Sequence, residues 1–320
     1  MKILKELRYF TQWFMKEYRM YKHPIDIKFY NHWATFFNEN LPHKQWFYRF
    51  VKNRKITTPL TFFSIDGYRW FINFFKGKKV FFTGEYLHQG CFDKRWQQYA
   101  DHCVEQVDLS LGFDDIVHKN YLRFPLWIMY FVQPEMTFEQ LERKIAVIND
   151  PNYRLNSNRT RFACQISHHD KNGIRKELID LCNKIDKVTC AGNFMNTTTE
   201  LHSEYNDDKQ LYLKNFKFNI CPENVSAKGY VTEKILDAFI GGCIPIYWGG
   251  GKKEWVELGI FNPKAFLYYK EGEEEKLLSE IKDLWEDREK YFNFIQHPPF
   301  MPKAAEIIWG KITELEKHLK

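Results

Sequence analysis

The sequence predicts an α/β fold with parallel sheets, divided between two domains. Three observations carry this. From Phe216 to Trp248 an apolar strand, a polar loop, an amphipathic helix and a second apolar strand follow one another. That is about 30 residues, the length of a βαβ unit. Between Asp26 and Leu111 short apolar runs alternate with helical or irregular stretches, the order expected of parallel strands covered by helices. The chain has 320 residues, a length that suits two domains.

In chain order, Met1 to Met20 reads as a helix in which Tyr9, Phe10, Trp13 and Phe14 are mixed with Lys2, Lys5, Arg8, Lys16 and Arg19. Asp26–Tyr30, Leu60–Ile65, Lys78–Phe82 and Val107–Leu111 read as strands. Polar or glycine-containing turns close them: Asn31-His32-Trp33, Asp66-Gly67, Thr83-Gly84-Glu85 and Gly112-Phe113-Asp114. Asn38–Phe50 is aromatic-rich and irregular or helical, and Trp70–Phe75 reads as helical. Ala146–Ser157 is polar, with a proline and two prospective Asx turns, and is the expected inter-domain connector.

Beyond it, Phe162–Ser167 and Val188–Ala191 read as strands. Between them lies a helix carrying Ile174, Leu178, Ile179 and Leu181, with Asn172 as its cap. Phe216–Ile220 is a strand stopped at Pro222. Val231–Ile240 sets Ile235, Leu236 and Phe239 at helical spacing, and Gly241-Gly242 ends it. Ile244–Trp248 is a strand closed by glycines. Glu271–Tyr291 reads as one charged helix, Pro298-Pro299 breaks the chain, and Ala304–Leu319 is a last helix. The expected domains are 1–150 and 158–297, with 298–320 as a terminal helical segment that the first domain can receive.

Composition narrows the functions. A formal charge of +6 and 18% aromatic residues suit a polyanion and stacking, which brings nucleic-acid binding into view. The basic residues are dispersed, however, and no RNP, zinc-finger or helix-turn-helix pattern occurs. A phosphate-bearing small molecule or an anionic membrane surface fits better. The seven cysteines are scattered, odd in number and without CxxC spacing; that suits a reduced compartment and neither a disulfide framework nor a zinc site. No apolar run is long enough to span a membrane, and the start is too charged for a signal-peptide core, so a cytoplasmic location is expected. His168-His169 lacks a carboxylate partner at a telling spacing. Gly249-Gly250-Gly251 with Lys252-Lys253 lacks the phosphate-loop frame and reads as a strand exit.

The loop before the Val231 helix is more polar than a connector needs, and Lys234 stands in that helix's first turn. A cation there opposes the helix dipole, a cost that a bound phosphate would offset. Ligands of open parallel sheets sit beyond the carboxyl ends of the strands, at helix N-termini. Arg175 holds the matching position in the earlier helix, and arginine can grip a diphosphate through two parallel hydrogen bonds. Glu85 follows a strand and a glycine, at the carboxyl edge of the first sheet. Taken singly, each of these residues also reads as a solvated surface group.

Taken together they form an ordered set. Val80–Glu85 (V-F-F-T-G-E), Gly112–Asp114 (G-F-D) and Tyr121–Leu126 (Y-L-R-F-P-L) come first. Phe216, Phe218, Asn219, Glu223-Asn224, Gly229–Lys234 (G-Y-V-T-E-K) and Ile244–Gly249 (I-P-I-Y-W-G) follow. This run resembles the bacterial-type α-1,3-fucosyltransferases of glycosyltransferase family 10. The resemblance implies a GT-B fold: two Rossmann-like domains whose parallel sheets face across a cleft, acceptor on the first and donor on the second. It implies inverting transfer of L-fucose from GDP-β-L-fucose to O3 or O4 of N-acetylglucosamine in a lactosamine-type glycan, for lipopolysaccharide or Lewis-type antigens.

Glu85 is then the base, Arg175 and Lys234 neutralise the diphosphate, Glu233 binds the donor ribose, and Asn224 and Tyr230 contact fucose or phosphates. The chain contains no D-x-D, so no metal is required and a divalent cation is at most stimulatory. The implied location is the cytoplasm, with peripheral contact at the inner membrane face. Two departures stand out: Phe82 replaces a tyrosine found beside the base in some members, and Pro222 replaces the aromatic that usually precedes Glu-Asn. A GT-B transferase with another donor sugar or acceptor stays open, as, remotely, does a nucleic-acid-binding protein.

Overall fold

The computed structural model describes residues 2–32, 45–155 and 159–320. Trp33, residues 38–44 of the aromatic-rich segment and residues 156–158 of the expected connector lie outside that range. Contacts divide the chain into two units, one of Met1–Met136 with Gly310–Lys320 and one of Thr137–Trp309. The division therefore falls earlier than residue 150.

In the first unit, helix α1 (Lys2–Lys22) precedes β1 (Lys28–Tyr30), α2 (Trp46–Asn53), β2 (Leu60–Phe63), β3 (Lys78–Phe82), β4 (Leu109–Gly112), β5 (Tyr121–Arg123) and α3 (Trp127–Phe131). The strands pair in parallel in the order β1-β2-β3-β4-β5. Rings from neighbouring elements fill the core: Phe62 lies 5.1 Å from Phe29 and 4.9 Å from Phe47, and Phe47 lies 5.2 Å from Phe82. Fully buried aromatics of this kind contribute more than their area, roughly 1 kcal/mol per well-placed pair. Phe82, the departure noted above, is fully buried there.

In the second unit, α4 (Phe138–Asn149) and α5 (Pro151–Arg154) lead into β6 (Arg161–Gln165), α6 (Ile174–Cys182), β7 (Val188–Cys190), α7 (Glu200–Ser203) and α8 (Lys209–Leu213). Then come β8 (Phe216–Ile220), α9 (Glu233–Gly241), β9 (Ile244–Tyr247), β10 (Leu267–Tyr268), α10 (Glu274–Glu286) and α11 (Arg288–Ile295), while α12 (Ala304–Leu319) begins in this unit and from Gly310 is counted with the first. The second sheet is also parallel, ordered β10-β9-β8-β6-β7. Phe218, Ile220, Ile244 and Ile246 pack into one core with Leu178 and Ile179 of α6 and Leu277 and Ile281 of α10. Both units thus have the parallel α/β build of a GT-B fold.

Several expectations need correction. Ala146–Leu155, the described part of the expected connector, is largely helical. Its first residues end α4, which a reciprocal box between Thr137 and Gln140 starts, and Pro151 opens α5 with Asp150 as its cap. The apolar positions Leu141, Ile145 and Ile148 gave the helical period of α4. Glu271–Tyr291 is two helices, because Asp287 is extended and its carboxylate caps α11 through the Glu289 and Lys290 amides. Trp70–Phe75 is a 3-10 helix over Arg69–Phe74. The short strands β5 and β10 were not anticipated; three and two residues leave no period to read.

Candidate functional site

The order of the second sheet reverses between β6 and β8: β7 lies to one side of β6, while β9 and β10 follow β8 on the other. Loops leaving the carboxyl ends of β6 and β8 therefore diverge, and a crevice opens between them. Arg175 and Asn224 meet across it. The carboxylate of Asp170 accepts the amides of Gly173 at 3.1 Å and Lys176 at 2.9 Å, which fixes the start of α6. Asn172 also caps, its Oδ1 accepting the Ile174 amide at 3.3 Å, so Asp170 and Asn172 share the role; the N-cap position itself is Gly173. Arg175 is 3% exposed. Its guanidinium donates to the His169 carbonyl and, at 2.6 Å, to Oδ1 of Asn224. Asn172 Nδ2 ties the two loops again by donating to the Asn224 carbonyl at 3.1 Å. Burial lowers the Arg175 pKa, with Asp170 and Glu223 acting against the shift.

Beside this pair lies a carboxylate to which no role had been assigned. Glu223, fully buried, accepts the Thr232 amide and hydroxyl at 2.7 Å each, Nζ of Lys234 at 2.9 Å and the Tyr247 hydroxyl at 3.1 Å. It binds the loop after β8 to the start of α9 and to β9. Gly249 makes room for it: a Cβ there would stand 2.6 Å from Glu223 Cγ, and its φ of +147° is unfavourable for other residues. The glycine run after β9 is thus the wall of a buried carboxylate site. The legible signal was a carboxylate ending an apolar strand, ten residues ahead of Glu233.

Lys234 also donates to Thr232 Oγ1 at 2.9 Å. The cost of a cation in the first turn of α9 is met by Glu223 within the chain, before any phosphate is considered. Burial works against the Lys234 ammonium, but Glu223 and Glu233 outweigh it and hold its pKa above the usual lysine range. An ammonium has three N–H donors, and these two contacts occupy two of them. Glu233 opens α9 and is part-exposed. Tyr230 is 2% exposed, so a ligand contact from its ring requires the turn at Gly229, where φ is +80°, to open.

On the first unit, Glu85 follows β3, the central strand, and is part-buried. Its amide donates to Thr83 Oγ1 at 3.1 Å. The turn passes so close to Leu126 that a Cβ on Gly84 would come within 2.7 Å of it. At the end of neighbouring β4, Asp114 accepts from His88 Nε2 at 2.7 Å and from the fully buried His102 Nε2 at 2.9 Å. Burial opposes the Asp114 charge, yet the two imidazoles outweigh it and keep its pKa below the ordinary carboxylate range. Among the described residues no group of three or more His, Cys, Asp or Glu side chains is placed to hold a metal ion.

The second unit thus joins four of the expected residues, Arg175, Asn224, Glu233 and Lys234, at the start of two helices. Two cations and the uncapped amides at the start of α9 suit an oxyanion of high charge, whereas the first amides of α6 are taken by Asp170 and Asn172. Glu85 is a carboxylate held by a rigid turn on the other unit, suited to taking a proton.

Comparison with known proteins agrees with this division. Residues 156–306 match the sequence model for the C-terminal part of glycosyltransferase family 10 (fucosyltransferase), and residues 27–130 match that for the alpha-(1,3)-fucosyltransferase FucT N-terminal domain. The chain is 27% identical over 259 residues to alpha-(1,3)-fucosyltransferase FucT of Helicobacter pylori, covering 72% of this chain and 49% of that protein. It is 30% identical over 99 residues to alpha-(1,3)-fucosyltransferase B of Drosophila melanogaster, covering 30% of this chain and 21% of that protein. The chain therefore spans at most about half the length of these curated relatives.

A crystal structure of alpha1,3-fucosyltransferase superposes with a TM-score of 0.61 at 22% identity, over 91% of this chain and 89% of that one. A second, with GDP-fucose, gives 0.53 at 24% identity, over 81% and 78%. These two likenesses establish the fold. With one family model on the strands around Glu85 and the other on the crevice of Arg175 and Lys234, the chain belongs to glycosyltransferase family 10, the fucosyltransferases.

Proposed function

We propose that the protein is an inverting α-1,3- or α-1,3/4-fucosyltransferase. It moves L-fucose from GDP-β-L-fucose to N-acetylglucosamine of a lactosamine-type glycan, in lipopolysaccharide or Lewis-antigen synthesis. The observation that carries the reading is the pair of cations, Arg175 and Lys234, held at the switch point of the second sheet in a chain of this family.

The reaction is one displacement at the anomeric carbon. Glu85 takes the proton of the attacking hydroxyl as the new C–O bond forms. The bond to the diphosphate breaks, and its charge falls to Arg175, Lys234 and the amides opening α9; each such donor can stabilise departing charge by roughly 3 kcal/mol. Glu233 binds the ribose hydroxyls, and Asn224 and Tyr230 contact the fucose or the phosphates. Glu223 touches no substrate in this scheme; it positions Lys234. The chain's own cations make a metal unnecessary, and a divalent ion at most stimulates.

Incubation with GDP-fucose and N-acetyllactosamine, with and without EDTA, tests the scheme by mass spectrometry. Trisaccharide in both samples is expected. Product lost in EDTA would overturn the metal-free part alone. If only GDP-mannose yields product, the donor assignment fails while the architecture stands, and a protein that binds no GDP sinks the reading.

The same reading puts the protein in the cytoplasm, peripheral on the inner face of the cytoplasmic membrane. In support, α1 exposes Leu4, Leu7, Phe14, Tyr18 and Tyr21 at 47% or more. Helical geometry sets these on one stripe with Arg8 and Arg19 along its edge. Sedimentation with vesicles of anionic phospholipid, but not with neutral ones, is expected. Loss of that binding in Leu7→Ser/Phe14→Ser identifies the face, and equal binding to neutral vesicles counts against it.

A further inference from the structure

At the amino ends of β6 and β8, a cavity of about 880 Å³ opens in the second unit, between α5 and the start of α11. The strands are parallel, so this end of the sheet is the one away from the loops of Arg175 and Lys234. A five-residue strand such as β8 separates the two ends by on the order of 15 Å. Four cations line the cavity: Arg154, Arg159, Lys217 and Arg288. Among the described residues none of the four forms an ion pair. Two carboxylates, Glu286 and Glu289, stand at the exposed rim, and Glu286 pairs with Lys282.

Two of the cations are almost wholly buried, Arg154 at 1% exposure and Arg159 at 6%. Arg159 donates to the carbonyls of Phe216 at 2.7 Å and Gly241 at 2.8 Å, and Arg154 to that of His297 at 3.2 Å. These bonds leave Nε and Nη2 of Arg154, Nε of Arg159 and the hydroxyl of Tyr291 without a partner among the described residues. Each such donor is destabilising when left unmade, more so when charged, and a buried charge without a counter-ion costs more still. Burial, with Arg159 nearby, pushes the Arg154 pKa down to about 10. Lys217 lies 4.7 Å from the Trp285 ring centre and 4.8 Å from that of Tyr291, which gives the cavity an aromatic wall beside its charge.

We infer that this cavity is a second anion site, built for a small molecule bearing a phosphate or diphosphate. An oxyanion is acceptor-rich, so one held by Lys217 and Arg288 supplies the missing counter-charge to the buried Arg154 and Arg159 that line the same cavity. The volume admits a ligand larger than the anion itself, with a flat or apolar portion against Trp285. The inference does not rest on fucosyl transfer.

Inorganic pyrophosphate is the probe, titrated by calorimetry into the Arg175→Gln protein so that the other crevice is disabled. One site is expected to bind there, and adding Lys217→Gln and Arg288→Gln is expected to weaken it at least tenfold. Both of those residues are part-exposed or exposed, and thermal unfolding of each variant checks that it folds. Hydrogen exchange on the unmutated protein gives a separate readout, with protection by pyrophosphate expected at 159–161 and 291–295. No binding in the Arg175→Gln protein, binding indifferent to Lys217 and Arg288, or protection confined to 169–176 and 223–234 would each overturn the second site.

Discussion

In the first sheet the strand order follows the chain from β1 to β5, whereas in the second it reverses between β6 and β8. The carboxyl ends of the two sheets differ accordingly. Along the first, polar groups make local sets: Lys16 with Asp66 at 3.1 Å, and Asp114 with His88 and His102. Glu85 comes from the turn between them. Along the second, loops after β6, β8 and β9 share one network that runs from Asp170 through Arg175 and Asn224 to Glu223, Lys234 and Tyr247. A reversal lets side chains from both flanks converge, which a sheet wound in one direction cannot offer. The second unit is thus suited to gripping a large charged group, and the first to presenting single groups to a substrate.

That contrast can be broken where its effect is largest. Glu85→Gln is expected to cut transfer by about 10²–10⁴-fold, the usual worth of a positioned base, while GDP affinity stays within a few-fold. Matching losses in the two would mean that the first unit also holds the donor. Glu223→Ala attacks the other side. It leaves Lys234 and Thr232 without their acceptor, and breaking a buried pair costs about 3–5 kcal/mol. Urea unfolding should register that loss, and GDP affinity should fall with it. A cost below about 1 kcal/mol would mean that the network is not cooperative. Should Glu223→Ala not fold, Gly249→Ala pushes on the same carboxylate from outside, with its Cβ 2.6 Å from Cγ.

The same contrast decides what the sequence made legible. Phe216–Ile220 and Lys78–Phe82 are apolar runs with sharp ends, and the structure has those strands at the same bounds. Arg175 and Lys234 could be singled out because a cation in a helix's first turn is locally costly and needs a reason. Asp170 and Glu223 were harder. The partners of Glu223, which are Thr232, Lys234 and Tyr247, are brought together by the strand order, whereas Asp170 accepts amides of the turn just after it, where Asn172 offers the same chemistry. Asn172 has the right chemistry for a cap and takes the Ile174 amide, but it shares the turn with Asp170, which reaches three more amides. Around Arg154 the Asp150-Pro151 turn signal outweighs the helical spacing of Leu141, Ile145 and Ile148, which stand among charged residues.

The smallest expected effect sharpens the comparison through two buried carboxylates that each face a lysine. Glu223 has four donors within 3.1 Å. Glu17 of α1, 3% exposed, has among the described residues only the Asn31 amide at 3.1 Å and a longer approach from Lys16 at 3.4 Å. Burial dominates there, and although Lys16 and the Asn31 amide oppose it, the Glu17 pKa rises from 4.5 to about 7. A carboxyl raised in the folded state favours folding while it is protonated. Its contribution is therefore present at low pH and is lost as pH climbs from the unfolded value through about 7. At 1.36 kcal/mol per pKa unit the loss by pH 8 is at most about 3 kcal/mol, less after the site relaxes. Glu17→Gln removes the ionisation but can keep an oxygen for the Asn31 amide. Its stability relative to the unmutated protein should thus improve steadily between pH 5 and pH 8. Denaturant curves at the two pH values measure the difference directly, because every other titrating group cancels. An equal gap at both would mean that Glu17 is as well served by its partners as Glu223, and the asymmetry between the two units would vanish at that point.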